Sequence, residues 1–403
     1  MSRELISRSP DLQRLRDEGY EIDIVAGHLL VKSVPYVARD RSVKRGTLVS
    51  TLTLAGEKTQ KPDTHVVFFI GEHPCHKDGT EIAQIVHQVK KQTLGPGLVV
   101  DRSFSNKPSL PRVPGQPNKQ PAGYADYYEK MTTYAMVLSS HAQAIDPSAT
   151  AKTYVAETTE AGSVFHYMDT ASTRAEIGAV TARLSGHRVG IVGLGGTGSY
   201  ILDLVAKTPV AEIHLFDDDR FLQHNAFRAP GAPSVDELRA TPFKVDHLAG
   251  IYCKMHKGIQ PHRIRVEPEN ADVLANMDFV FVCVDKAPSR RTVVDALREY
   301  DKPFIDVGMG ATFVEDENIL LGWTRVSSSV PGDRRGEQRV PTDGTDAEDI
   351  YDKNIQIADL NSLNAALAVI QWKKWCGFYQ DLEKENWSTY TTNVSQLLTE
   401  RLE

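Results

Sequence analysis

Between His187 and Asp219 the chain reads HRVGIVGLGGTGSYILDLVAKTPVAEIHLFDDD. Gly193, Gly195 and Gly198 keep the spacing G-x-G-x-x-G, and Gly196 adds a fourth glycine. At a strand-to-helix turn such glycines let the backbone approach phosphate oxygens. The helix start then offers N–H groups and the positive end of its dipole. Asp217, closing the next apolar run, suits ribose hydroxyls. NAD and ATP both present these groups, so the loop alone leaves both chemistries open.

The residues beyond Asp217 separate them. FDDDRFLQHNAFRAPG carries Asp217, Asp219, Asn225 and Arg228, Lys244 opens a helical stretch, and the apolar run DFVFVCVD ends in Asp285. In this order the residues resemble the ThiF/MoeB adenylyltransferases and the ubiquitin-activating enzymes, over about Leu184 to Gly377. The resemblance implies an ATP-dependent nucleotidyltransferase that adenylates a carboxylate with release of pyrophosphate. It gives the ribose to Asp217, the phosphates to the glycines, Asn225, Arg228 and Lys244, and Mg²⁺ to Asp285. Asp219 belongs to the same D-x-D, though a turn or cap would also explain it. The implied substrate is the C-terminal glycine of a ubiquitin-like or sulfur-carrier protein, and the implied assembly is a homodimer. NAALAVIQWKKW is a candidate contributor to that interface. Three alternatives stay open: adenylation of a small molecule or tRNA base, an NAD-binding oxidoreductase, and a noncatalytic scaffold.

These residues need a scaffold of strands and helices. RVGIVG, EIHLFD, DFVFVCVD and KPFIDVG read as parallel strands with helices between them, and ILLGWTRVSS as an antiparallel addition. The expected fold is α/β, a doubly wound, mostly parallel Rossmann-like sheet at 165–380, with a tail at 381–403. Residues 327–348 are polar and aperiodic and are expected as a mobile loop. Ahead of this domain, 1–155 reads as a smaller α+β domain of unknown role. A helix capped by Ser9 opens it, and two strands flank Ala26-Gly27. THVVFFIG is a further strand, and GTEIAQIVHQVKKQ has helical spacing. A proline-rich loop follows at 106–123, and YADYYEKMTTYAMVLSSHAQAI is a helix.

Four cysteines, at 75, 253, 283 and 376, form no C-x-x-C pair. None lies between Cys283 and Cys376, where the resemblance places a thioester cysteine. Cys75, flanked by His73 and His76 in GEHPCHKDG, is a candidate thioester site if the N-terminal domain is a distant relative of ubiquitin-conjugating enzymes; a plain turn cysteine is the alternative. With net charge −7 and 41% hydrophobic residues, the chain reads as globular and not as a nucleic-acid binder. Its charged start has no apolar signal region and its apolar runs are strand-length, so a cytoplasmic location is expected.

Overall fold

The computed structural model describes residues 2–107, 123–155, 162–175, 177–343 and 355–402. The chain forms two compact units, Met1–Glu157 and Thr158–Glu403.

In the first unit, helix α1 (Pro10–Asp17) leads into six strands: β1 (Ile22–Val25), β2 (His28–Val37), β3 (Val43–Thr51), β4 (Val66–Ile70), β5 (Val86–Gln88) and β6 (Arg102–Ser105). They pair antiparallel in the order β1-β2-β3-β4-β6-β5. Helix α2 (Tyr127–Gln143) buries Tyr127, Met131, Tyr134 and Leu138, one helical stripe, in the core of this unit. Ser9 stands at the N-cap of α1 but makes no side-chain cap; its hydroxyl accepts the N–H of Thr59 at 3.0 Å. The expected helix at 79–92 is instead a 3-10 turn, Ala83–Ile85, followed by β5. Ile82 and Ile85 are buried while Val89 is 65% exposed, so the apolar stripe that suggested a helix is not used as one. The antiparallel partner β6 supplies backbone hydrogen bonds that local spacing does not reveal. Of the proline-rich segment, 108–122 lies outside the described residues.

In the second unit, β7 (Arg188–Val192), α3 (Gly196–Val205), β8 (Glu212–Phe216), α4 (Lys244–Tyr252), β9 (Ile259–His262), β10 (Phe279–Val282) and α5 (Ala287–Glu299) precede the hairpin β11 (Phe304–Val314) and β12 (Ile319–Ser329). Helix α6 (Ala358–Trp375) and strands β13 (Trp387–Thr391) and β14 (Gln396–Glu400) complete it. The sheet order is β9-β8-β7-β10-β11-β12-β13-β14. Pairing is parallel from β9 to β11 and antiparallel from there on. The first half is thus doubly wound and Rossmann-like, with its switch point between β7 and β10. Ligands in such sheets bind outside the carboxyl ends of the strands at that point. The runs VGIV and FVFV are buried throughout, as strands covered on both faces require.

Two expectations for this half need correction. Residues 381–403 are not a tail: β13 and β14 extend the sheet, because β12 has a free edge whose backbone groups need partners. Nor is 327–348 a uniform loop. Residues 327–329 belong to β12 and Arg335–Arg339 is a 3-10 turn. Arg334 pairs there with Asp301 at 2.5 Å and Arg335 with Asp333 at 2.8 Å. Residues 344–350 lie outside the described residues. Helix α6 directs Ala365, Ala368, Val369 and Trp372 into the core of its own unit, Trp372 lying 6.3 Å from Phe279 and 6.1 Å from Phe281. Most of its apolar face is therefore unavailable for the expected dimer contact.

Candidate nucleotide site

At the carboxyl ends of β7, β8 and β10 lies a cavity of about 870 Å³. The four glycines of the turn beside it have different tasks. Gly193 takes φ +91°, and a Cβ there would meet the Cys283 carbonyl oxygen at 2.8 Å. A Cβ on Gly198 would collide with the carbonyl oxygen of Gly193, so glycine is what lets α3 sit against the turn. On Gly196 it would collide with the Asn361 side chain, whereas on Gly195 it would meet nothing within 4 Å. Among the described residues, no side chain caps α3. Its first-turn N–H groups, beside the cavity-lining Gly195, Gly196 and Thr197, suit an anion.

The strand-end acids surround a lysine. Asp217, 9% exposed, accepts the N–H of Leu194 at 2.7 Å and that of Asp219 at 2.9 Å. Lys244, 6% exposed, donates to Asp219 at 2.6 Å, and its Nζ lies 3.6 Å from Asp217. Burial pushes the Asp217 carboxyl above its ordinary pKa, against the nearby Lys244 charge. Burial also acts on Asp219, but there the hydrogen bond and charge of Lys244, with Arg265 and Lys286, outweigh it and hold the carboxyl low. The first turn of α4 delivers Lys244 because its backbone N–H bonds the carbonyl of Asp219 at 2.9 Å.

Arg228 lines the same cavity, and its Nε is buried with no partner among the described residues. Burial lowers its pKa, opposed by the charges of Asp285 and Asp219. Asp285 is exposed, lines the cavity, and makes no ion pair or side-chain hydrogen bond among the described residues. Asn225 does not join them. It is 4% exposed, and its Oδ1 accepts the N–H of Leu222 at 2.8 Å, so it caps a short helix instead of facing the cavity. Gly198 likewise lies behind the turn and does not line the cavity.

Several residues that line or brace the cavity are not apparent from sequence. Arg290 and Arg325 clamp the fully buried Asp306, at 2.9 and 2.6 Å. Arg290 also donates to the carbonyl of Val284 at 2.5 Å, which fixes the backbone next to Asp285. Arg290 is itself only 6% exposed. Asn361 and Gln356 reach the cavity from α6 and the residues before it. Asparagines in an otherwise apolar helix were the available signal for Asn361.

Carboxylate oxygens of Asp217, Asp218 and Asp219 lie within 4.8 Å of one another. Lys244 and Arg265 already neutralise two of them, Arg265 lying 3.3 Å from Asp218. The uncommitted carboxylate of Asp285 fits a cation better, since hard divalent ions take oxygen ligands.

Comparison with known proteins gives a family for this half. Residues 171–314 match the ThiF family, and residues 10–170 match a domain of unknown function, DUF6791. Residues 171–314 are a ThiF family domain. No curated protein matches the chain. Among solved structures, E. coli MccB with ATP is 18% identical, with 55% of this chain and 66% of that chain covered and a TM-score of 0.44. E. coli MccB with succinimide gives 17%, 55%, 66% and 0.44. The structure of SeMet PaaA gives 14%, 68%, 85% and 0.47. The chain thus spans 66% of those MccB chains, short of two thirds.

The ThiF domain contains Gly193 to Asp285 but ends before Arg325, Gln356 and Asn361, which the same sheet and α6 bring to the cavity. Outside the ThiF domain, the candidate thioester residue is sealed. Cys75 is 0% exposed and its thiol donates to the carbonyl of His73 at 3.4 Å. Burial, then the Glu81 charge, pushes its pKa up, the opposite of an activated thiolate. His73 is engaged by Arg102 at 2.8 Å, and His76 packs edge-on against His141 at 4.6 Å. The structure therefore argues against a thioester role for Cys75 and for a packing role.

Proposed function

We propose that the second unit binds ATP and adenylates a carboxylate, and that the acyl donor is the C-terminal glycine of a ubiquitin-like or sulfur-carrier protein. The observation that carries this reading is the meeting of Arg228, Lys244 and Asp285 beside an uncapped helix N-terminus in one cavity. A hydride-transfer enzyme has no need of two cations and a carboxylate there.

In the proposed reaction a carboxylate oxygen attacks the α-phosphorus of ATP, the bond to the bridging oxygen breaks, and pyrophosphate leaves with the electron pair. Acyl-adenylate remains. Negative charge grows on phosphate oxygens, where fixed positive groups stabilise it most. Arg228 suits forked contacts to those oxygens and Lys244 acts as a movable point charge. Asp217 keeps acceptor capacity for ribose hydroxyls beyond its two backbone bonds. Asp285 would hold Mg²⁺, which supplies further charge neutralisation on the phosphates.

Titration calorimetry with ATP and with NAD⁺ on the full chain tests the ligand class. The proposal expects ATP binding that weakens in Lys244→Ala. Preferential NAD⁺ binding, indifferent to Lys244, would overturn it. A requirement for a small substrate in place of a protein C-terminus would retain the adenylation chemistry and remove the protein donor.

A further inference from the structure

Asn361 has an unused donor in a place where unused donors are rare. The residue is 1% exposed in the first turns of α6. Its Oδ1 accepts the hydroxyl of Thr197 at 2.8 Å, while its Nδ2 is buried without an acceptor among the described residues. A carboxamide nitrogen carries two N–H groups, and buried polar groups are nearly always paired. The bond to Thr197 fixes the direction of the amide. The amide lies against Gly196, where a Cβ would collide with it, and Asn361 lines the cavity.

Gly196 and Thr197 form the first turn of α3, whose uncapped N–H groups face the anion position. The amide is thus held beside that turn, at the wall of the same cavity. We propose that Asn361 donates its free Nδ2–H to a phosphate oxygen of the bound nucleotide, adding a side-chain donor from α6 to the backbone cradle of the glycine loop. Thr197 is then a positioning residue that holds the amide. The inference rests on the ATP reading and adds to it a residue beyond the ThiF match. It also explains why Gly196 is glycine: a side chain there would displace the amide.

The test uses the full chain with Asn361→Leu, which keeps the size and removes the donor, and Asn361→Asp, which keeps an acceptor for Thr197 and removes the N–H. ATP, AMP and adenosine are titrated into each, and unfolding midpoints of the ligand-free proteins are recorded. A donor to a charged acceptor predicts ATP and AMP binding weakened about 10- to 100-fold in Asn361→Leu. Asn361→Asp should lose more, because it places a carboxylate against phosphate. Adenosine should bind all three proteins within about twofold, and the ligand-free midpoint of Asn361→Leu should stay close to the parent's, since removal of the unpaired donor offsets the lost Thr197 bond. ATP binding equal to the parent in both variants overturns the inference and leaves the ATP reading standing. Equal losses for ATP and adenosine also overturn it, by showing that Asn361 only supports the fold. If Asn361→Leu fails to fold, Asn361→Asp decides by the same comparison. A parent protein that binds no ATP refutes the ATP reading itself, and with it this inference.

Discussion

Lys244 is buried against two carboxylates of opposite character, Asp217 inside and Asp219 at the rim. Without a nucleotide it neutralises a strand end; with phosphates present the same charge has a second claimant. Lys244→Met is therefore expected to act twice. It should weaken ATP binding at least about tenfold, and it should cost roughly 3 kcal/mol of stability because the buried Asp217 loses its cation. Calorimetry and denaturant unfolding measure the two effects separately. A second buried lysine behaves differently. Lys130 is 0% exposed, bonds only Ser50 (at 2.8 Å) among the described residues, and is depressed by burial from 10.5 to about 8. Between those values the unfolded chain holds a proton the folded chain has released, so this group's penalty fades as pH rises from about 8 toward 10.5. Lys130→Met should raise stability at pH 7 by up to about 3 kcal/mol and flatten the rise above pH 8, as unfolding midpoints across that range would show. That Asp217, Arg228, Lys244 and Asp285 come together at one cavity was legible in sequence, because order and spacing carry them. Asn361 was not, since being unpaired is a property of tertiary neighbours. Asn225, expected at the phosphates, instead caps a short helix and does not line the cavity, a difference that sequence does not reveal because a capping asparagine and a ligand-binding one look alike there.

At the scale of elements, the glycine turn gives a contrast between two substitutions. Gly198→Ala places a methyl group into the Gly193 carbonyl and must move α3, so it should lose about 2 kcal/mol and weaken nucleotide binding. Gly195→Ala meets nothing in the ligand-free protein. Its melting should change by less than about 1 kcal/mol, with the loss confined to ligand binding. Thermal melts with and without ATP separate these outcomes; a destabilised ligand-free Gly195→Ala would contradict the assignment of its open face to the ligand. The parallel strands β7 and β10 were readable as near-continuous apolar runs, and β8 as Ile213, Leu215 and Phe216 interleaved with Glu212 and His214. Strand β5 was not, because Ile82, Ile85, Val86 and Val89 fit a helical stripe and only pairing with β6 decides between the two. Strand β9, IQPH, has too little apolar content to announce itself and is specified by its parallel partner β8.

Across the whole molecule, the ThiF match ends where β11 ends, but the sheet runs on through three antiparallel strands. The last two were read as a tail because WSTYT and QLLTE are too polar to mark a buried strand, and in the structure neither has a fully buried residue. They are held by ladder hydrogen bonds, by Lys374 paired with Glu385, and by Arg339 stacked 5.0 Å from the Trp387 ring. Deleting 381–403 should therefore lower the melting temperature and increase aggregation through the bared edge of β12, as light scattering during a melt would report. Unchanged melting would show that the hairpin is dispensable. The account as a whole is tested most directly by ATP–pyrophosphate exchange with the full chain, with and without a ubiquitin-like protein ending in glycine, beside Asp285→Ala. It predicts exchange that requires the partner and is lost in the variant. Absence of exchange under every partner, or exchange indifferent to Asp285, would contradict it.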